Sequence, residues 1–213
     1  MAGVRTTEAL WHGTAQHTRD AARRRRLLDA ALELYGTIGF RATTVQALCR
    51  LATVSTRSFY ELYADQERLL EQLYRELNDE VLAGFALAVV EPGVGLAVSL
   101  RRLVAASLEP MLLDERKARV LEIESVGVSA ELEAQRRTAY RTFAVAIDAA
   151  CEEFVRAGLI GEAPAGLASL ILVGGITEAL VQRVQTDVSS REPDAAFIDA
   201  IAAVILRVIG GPD

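Results

Sequence analysis

Residues 43–70 read Thr-Thr-Val-Gln-Ala-Leu-Cys-Arg-Leu-Ala-Thr-Val-Ser-Thr-Arg-Ser-Phe-Tyr-Glu-Leu-Tyr-Ala-Asp-Gln-Glu-Arg-Leu-Leu. The pattern predicts two short helices around a tight turn, then a long helix. Thr43 with Gln46 three residues on forms a capping box, opening a helix whose Val45, Leu48, Cys49 and Ala52 face inward. Thr53 and Val54 make the turn, and Ser55 caps a helix running to Tyr60 or Leu62, with Phe59 and Leu62 turned back to the core. Asp65 caps the long helix, whose stripe of Leu69, Leu70, Leu73, Leu77, Val81 and Phe85 continues until Pro92 and Gly93. The helix from Ser55 carries hydroxyls, Arg57 and Tyr60, as a helix inserted in a DNA groove presents them.

Upstream, Leu27, Leu28, Ala31, Leu32, Tyr35 and Ile38 recur every three or four residues, one helical face that Gly39 stops. Residues 1–18, with His12 and His17, lack sustained periodicity and are expected to be a disordered arm, with order beginning near Arg19. Downstream there is no alternating strand pattern; helices are expected near 94–112, 115–126, 130–157, 165–188 and 194–209. The expected fold is all-α: a three-helix helix-turn-helix domain over 19–66 and a helical domain over 67–213.

The net charge of −6 is poor for a nucleic-acid binder until the chain is divided at Gln66. Up to that point nine arginines face six carboxylates, whereas the remainder is strongly acidic. Positive charge is thus gathered at one end, as contact with phosphate requires. Cys49 and Cys151 lack metal or redox spacing and read as buried reduced thiols. No signal peptide is read at the N-terminus. The most apolar runs, 81–90 and 167–176, fall short of the roughly 18 residues of a membrane span, so a soluble cytoplasmic chain is expected.

The residues Leu28-Asp29-Ala30-Ala31-Leu32-Glu33-Leu34-Tyr35, Gly39-Phe40, Thr43-Thr44-Val45, Val54-Ser55, Phe59-Tyr60 and Glu67-Arg68-Leu69-Leu70 together resemble the TetR family of bacterial transcriptional regulators. The resemblance covers about residues 22–75. It departs at Thr53, where glycine is frequent, at Leu62, and at Gln66, where a lysine often meets phosphate. It implies a helix from Ser55 lying in the major groove, with Thr56, Arg57 and Ser58 at base edges. Arg57 is the leading candidate because a guanidinium grips both acceptors of a guanine, with a phosphate-bound or solvated arginine as the alternative. Thr43, Thr44, Tyr60 and Gln66 are candidate contacts to DNA, and Ser55 is read equally as a cap or a phosphate contact. Arg23–Arg26 are read equally as phosphate contacts or a solvated helix start. Glu61 is expected to point away from the duplex.

One short recognition helix covers a few base pairs, so specificity implies a homodimer on a palindromic operator. Leu167, Leu170, Ile171, Gly174, Gly175, Glu178 and Val181 mix apolar bulk with small residues suited to close helix approach; by resemblance, the last two long helices form the dimer interface. The resemblance also implies that the C-terminal domain senses a small-molecule effector, most simply releasing a repressor from DNA. Leu103, Leu121, Glu122, Glu124, Tyr140, Phe143, Ala144 and Ile147 are candidate pocket residues, mixing apolar lining with a few polar groups.

Other classes are weaker. Catalysis lacks a histidine outside the arm, a nucleotide-binding glycine loop and a metal-ligand cluster, so no catalytic residue, metal or cofactor is expected. A ligand-free architectural DNA binder would tolerate sequence and answer mainly to salt. A protein-interaction module would need an apolar anchor on the surface from Ser55 to Tyr60.

Overall fold

The computed structural model describes residues 5–87, 90–164 and 166–210, side chains of 5–15 and 86–87 excepted. It is all helical among the described residues: α1 (Arg5–Thr37), α2 (Val45–Ala52), α3 (Thr56–Leu62), α4 (Gln66–Leu87), α5 (Leu96–Leu113), α6 (Glu115–Arg119), α7 (Ala130–Arg156), α8 (Leu167–Gln185) and α9 (Asp194–Ile209). The chain divides into two compact units, residues 1–73 and 74–213.

In the first unit α1 packs on α2 and α2 on α3. Leu27, Leu28, Ala31, Tyr35, Leu48 and Phe59 are buried together with Cys49, a free thiol. Gly39 ends α1 as expected, at φ 94°, with its N–H returned to the Leu34 carbonyl at 3.1 Å. Ile38 does not continue the buried face: it lies beyond the last helical turn and is 53% exposed. Nor does order begin at Arg19. Residues 1–4 lie outside the described residues, but the backbone is helical from Arg5; residues 5–18 are mixed in helix propensity, yet they contain no proline and extend an already nucleated helix.

Helix α2 is capped by Thr44, not Thr43: the Thr44 hydroxyl accepts from the Ala47 N–H at 3.2 Å. Ser55 and Asp65 cap as the sequence predicts, accepting from Ser58 N–H at 3.1 Å and Arg68 N–H at 2.8 Å. The turn between α2 and α3 is closed by Val54 N–H on the Cys49 carbonyl at 3.0 Å, which requires Thr53 to be left-handed at φ 54°, ψ 48°. A β-branched residue is strained there because its Cβ crowds the following carbonyl. Thr53→Gly is therefore expected to raise the stability of this unit by about 0.5–1 kcal/mol, the strain relief exceeding glycine's entropic cost. Urea unfolding followed in this unit checks it; an unchanged or lowered midpoint refutes it.

In the second unit α5 packs on α9 and α7 on α8, with α6 against α5 and α8. At Gly84 a Cβ would stand 2.3 Å from the Ala106 carbonyl oxygen, so glycine sets the close approach of α4 to α5. Between α6 and α7 the chain makes a π-turn over Val120–Glu124, closed by Ser125 N–H on the Val120 carbonyl at 3.2 Å. The buried Ser125 hydroxyl donates to the Leu121 carbonyl at 2.7 Å. Helix α8 is longer and more apolar than the ten-residue run suggests. By length and a mean hydropathy of 1.5 it could cross a membrane, yet only 22% of that window is buried within the subunit.

Candidate nucleic-acid interface and internal cavity

Helix α3 is held by one side and open on the other. Phe59 is fully buried, with Tyr60 packed edge-on at 5.3 Å and Tyr63 at 5.9 Å. The opposite arc presents Thr56, Arg57 and Tyr60. The Arg57 side chain is 90% exposed, and its Nε donates to Glu61 Oε1 at 3.0 Å. Glu61 thus lies alongside Arg57, not turned away from that arc, because residues four apart share a helix face. A solvated pair of this kind contributes only about 0.3–0.5 kcal/mol, so it orients the guanidinium without withholding it from a stronger anionic or guanine partner. The Ser55 hydroxyl donates to Ser58 Oγ at 3.0 Å while accepting the cap bond, which ties both hydroxyls to the helix start.

Thr44 is exposed beside the α2 cap. Two other candidates are engaged inside the fold. Thr43 is 6% exposed and its hydroxyl donates to the Gly39 carbonyl at 2.8 Å. The Gln66 amide donates to the Phe40 carbonyl at 3.1 Å, replacing the expected outward contact with a clasp on the loop after α1. Of the arginine run, Arg23 pairs with Asp20 and Arg25 with Asp29. The exposed Arg41 precedes α2 and the exposed Arg50 lies in its last turn; sequence reasoning passed over both, although each is a cation in the basic end of the chain.

The second unit encloses a cavity with about 840 Å³ of empty space, its open mouth included. Of the candidate pocket residues, Leu103, Leu121, Glu122, Phe143 and Ile147 line it. Tyr140, Ala144 and Glu124 do not: the Arg136 guanidinium sits 5.8 Å from the Tyr140 ring, Ala144 is buried in packing, and Glu124 accepts from Arg119 at 3.1 Å. Glu122 and Glu124, two residues apart, face opposite ways along this stretch: Glu122 stands on the cavity wall and Glu124 turns to Arg119. Sequence reasoning missed Asn78, Ser107 and Thr177, the wall's other polar side chains; the signal was a polar residue at a core position of an apolar helix. Burial pushes the Glu122 carboxyl up to about 7, with Arg136 pulling the other way.

On α8, Leu167 is 71% and Ile171 63% exposed, and Leu170, Gly174, Gly175 and Glu178 are exposed beside them, with Val181 half-buried. A Cβ added at Gly174 or Gly175 would meet nothing within 4 Å. No contact within this chain requires either glycine, although each weakens a helix interior by about 1 kcal/mol relative to alanine.

A capped two-helix reader with an outward Arg57, carried on an all-helical chain that also holds a cavity, defines a DNA-binding regulator of the helix-turn-helix class. Residues 27–73 match the model of bacterial regulatory proteins of the tetR family. Among curated proteins it is similar to the HTH-type transcriptional repressor KstR2 of Rhodococcus jostii (strain RHA1), 29% identical over 89 residues. That match spans 42% of this chain and 43% of the relative. Among solved structures it shares its fold with the fatty acid degradation regulator FadR of Bacillus halodurans, at TM-score 0.72 and 17% identity over 87% of this chain and 95% of that one. FadR of Bacillus subtilis, solved in complex with stearoyl-CoA, aligns at TM-score 0.69 and 17% identity over 87% and 98% of the two chains.

Proposed function

We propose that this chain is a cytoplasmic, non-catalytic repressor that binds a palindromic operator as a homodimer and is released from it by a small-molecule effector. The observation that carries the reading is helix α4. Its first turns give Leu69 and Leu70 to the buried interior, and its later turns give Asn78, Val81 and Phe85 to the cavity wall. One continuous helix therefore serves the DNA-reading unit and the cavity-bearing unit alike. An effector acts on such an equilibrium only by binding the DNA-incompetent state more tightly. The acyl-CoA seen in one structural relative supports a cavity able to receive a small molecule, and the repressor among the curated relatives supports the sign of regulation.

In this reading α3 enters the major groove, Arg57 contacts a base edge, and Thr44, Thr56 and Tyr60 hold backbone or base positions; Ser55 and Ser58 build the cap. Thr43 and Gln66 act through the loop they fasten. The uncovered α8 face is the dimer surface, which also accounts for its hydropathy without a membrane. Binding of the purified protein to the intergenic DNA beside its own gene tests the proposal: a protected palindrome that is lost on effector addition supports it, and sequence-indifferent, salt-governed binding refutes it. Arg57→Ala is expected to cost about 1–3 kcal/mol at one symmetric pair of base positions and to relax preference there. A uniform loss across all sequences would instead make Arg57 a phosphate contact.

A further inference from the structure

The cavity wall has a one-sided polar chemistry. Its donors are engaged internally: Asn78 Nδ2 donates to the Tyr74 carbonyl at 2.7 Å and the Ser107 hydroxyl to the Leu103 carbonyl at 2.7 Å. No lysine, arginine or histidine is among its lining residues. What remains is the Glu122 carboxyl, which makes no hydrogen bond or ion pair among the described residues and feels Arg136 only through space, together with the Thr177 hydroxyl, which can donate or accept. The rest of the wall is almost wholly apolar. The π-turn that carries Glu122 is a departure from regular helix at the one place where it delivers this carboxyl.

We propose that the effector is an apolar amine, its ammonium group seated on Glu122 and its hydrocarbon body lying against the wall formed by α5, α7 and α8. The assignment rests on the effector-sensing reading above and names the ligand class for that cavity. A carboxylate or phosphate head would be buried beside Glu122 with no cation on the wall to meet it, whereas an ammonium supplies both the missing donor and the missing charge. The groups around Glu122 permit this. Tyr74 of α4 faces Glu122 as a neutral phenol whose pKa burial raises, and Asn78 shares the cavity wall. Arg136, the cation that acts on Glu122 through space, donates from Nη1 to both carboxylate oxygens of Glu133 at 3.2 Å, leaves its buried Nε without a partner, and is not a lining residue. Glu122 stays poised between forms until a cation fixes it as carboxylate.

Calorimetric titration of the full chain with decylamine, 1-decanol and decanoate at pH 8, each below its aggregation concentration, tests the assignment; a primary amine is then almost wholly ammonium. The expected result is one decylamine per chain, bound at least about tenfold tighter than decanoate. Glu122→Gln removes at least about tenfold of the decylamine affinity and leaves decanol within about threefold. Lowering the pH from 8 to 6 weakens decylamine binding to the unmodified chain and not to Glu122→Gln. If decanol or decanoate binds as tightly as decylamine and Glu122→Gln changes nothing, the amine assignment is overturned while the cavity remains an effector site. If none of the three binds and the cavity-filling Leu103→Trp is indistinguishable from the unmodified chain, the assignment and the sensing reading both fall.

Discussion

Glu122→Gln is expected to make the second unit more stable than the unmodified chain at pH 8 and no more stable at pH 4. Desolvation on the cavity wall lifts the carboxyl from 4.5 to about 7, so the folded chain holds this proton more tightly than the unfolded chain. Protonation therefore favours the folded state. That contribution is complete below about pH 4.5 and is lost as the pH rises through about 7, where the native fold carries an ionised group in an apolar wall. The shift corresponds to roughly 3 kcal/mol, and the neutral amide removes the pH-dependent part of it. Thermal melts of both proteins from pH 4 to 8 should converge at the acid end and separate by several degrees at the alkaline end. Parallel curves across the whole range would mean that Glu122 is not desolvated in the folded chain.

Gly174→Lys should act with opposite signs on the subunit and on the assembly. Within one chain a side chain at 174 meets nothing within 4 Å, and replacing a mid-helix glycine stabilises α8 by about 0.5–1 kcal/mol. Across a helix-to-helix interface the same side chain fills the space that lets two backbones approach, and it brings a charge between Leu170 and Ile171 of facing subunits. Sedimentation should shift from dimer to monomer at micromolar concentration. Operator affinity should fall on the order of 100-fold or more as the second half-site ceases to be linked to the first. A variant that remains dimeric with unchanged operator binding would move the interface away from α8 and leave its exposed glycines unexplained.

Much of the fold was legible in local chemistry. Ser55 and Asp65 are short acceptors placed just ahead of apolar periodicity, and each caps the helix it precedes. Gly39 stops α1 because a left-handed residue is needed there. The sequence could not separate Thr43 from Thr44: both suit a cap, and only tertiary packing decides which hydroxyl turns inward to Gly39. Gln66 was misread for a similar reason, since its partner is a backbone carbonyl 26 residues away, a contact without any local signature. For the cavity, Leu103, Phe143 and Ile147 were named for their apolar character, and Glu122 and Glu124 were named alike. Two residues apart on a helical stretch they face opposite ways, and only tertiary packing decides which of them meets the cavity. The outward face of α8 was legible as a mixture of bulky and small residues, whereas its exposure was not, because a buried helix has the same composition.

The π-turn has a further meaning when the chain is considered as something that gains and loses residues. A single π-turn contains one residue more than an α-helical path between the same ends. Excising one residue from 120–124 would therefore return this stretch to a regular helix while the side chains on either side keep their places. In the proposed reading, loss of the Glu122 codon takes the carboxyl from the cavity wall and leaves the DNA-reading stretch as it is. Effector chemistry and operator preference would then be written in separate stretches of the chain, each able to drift without the other.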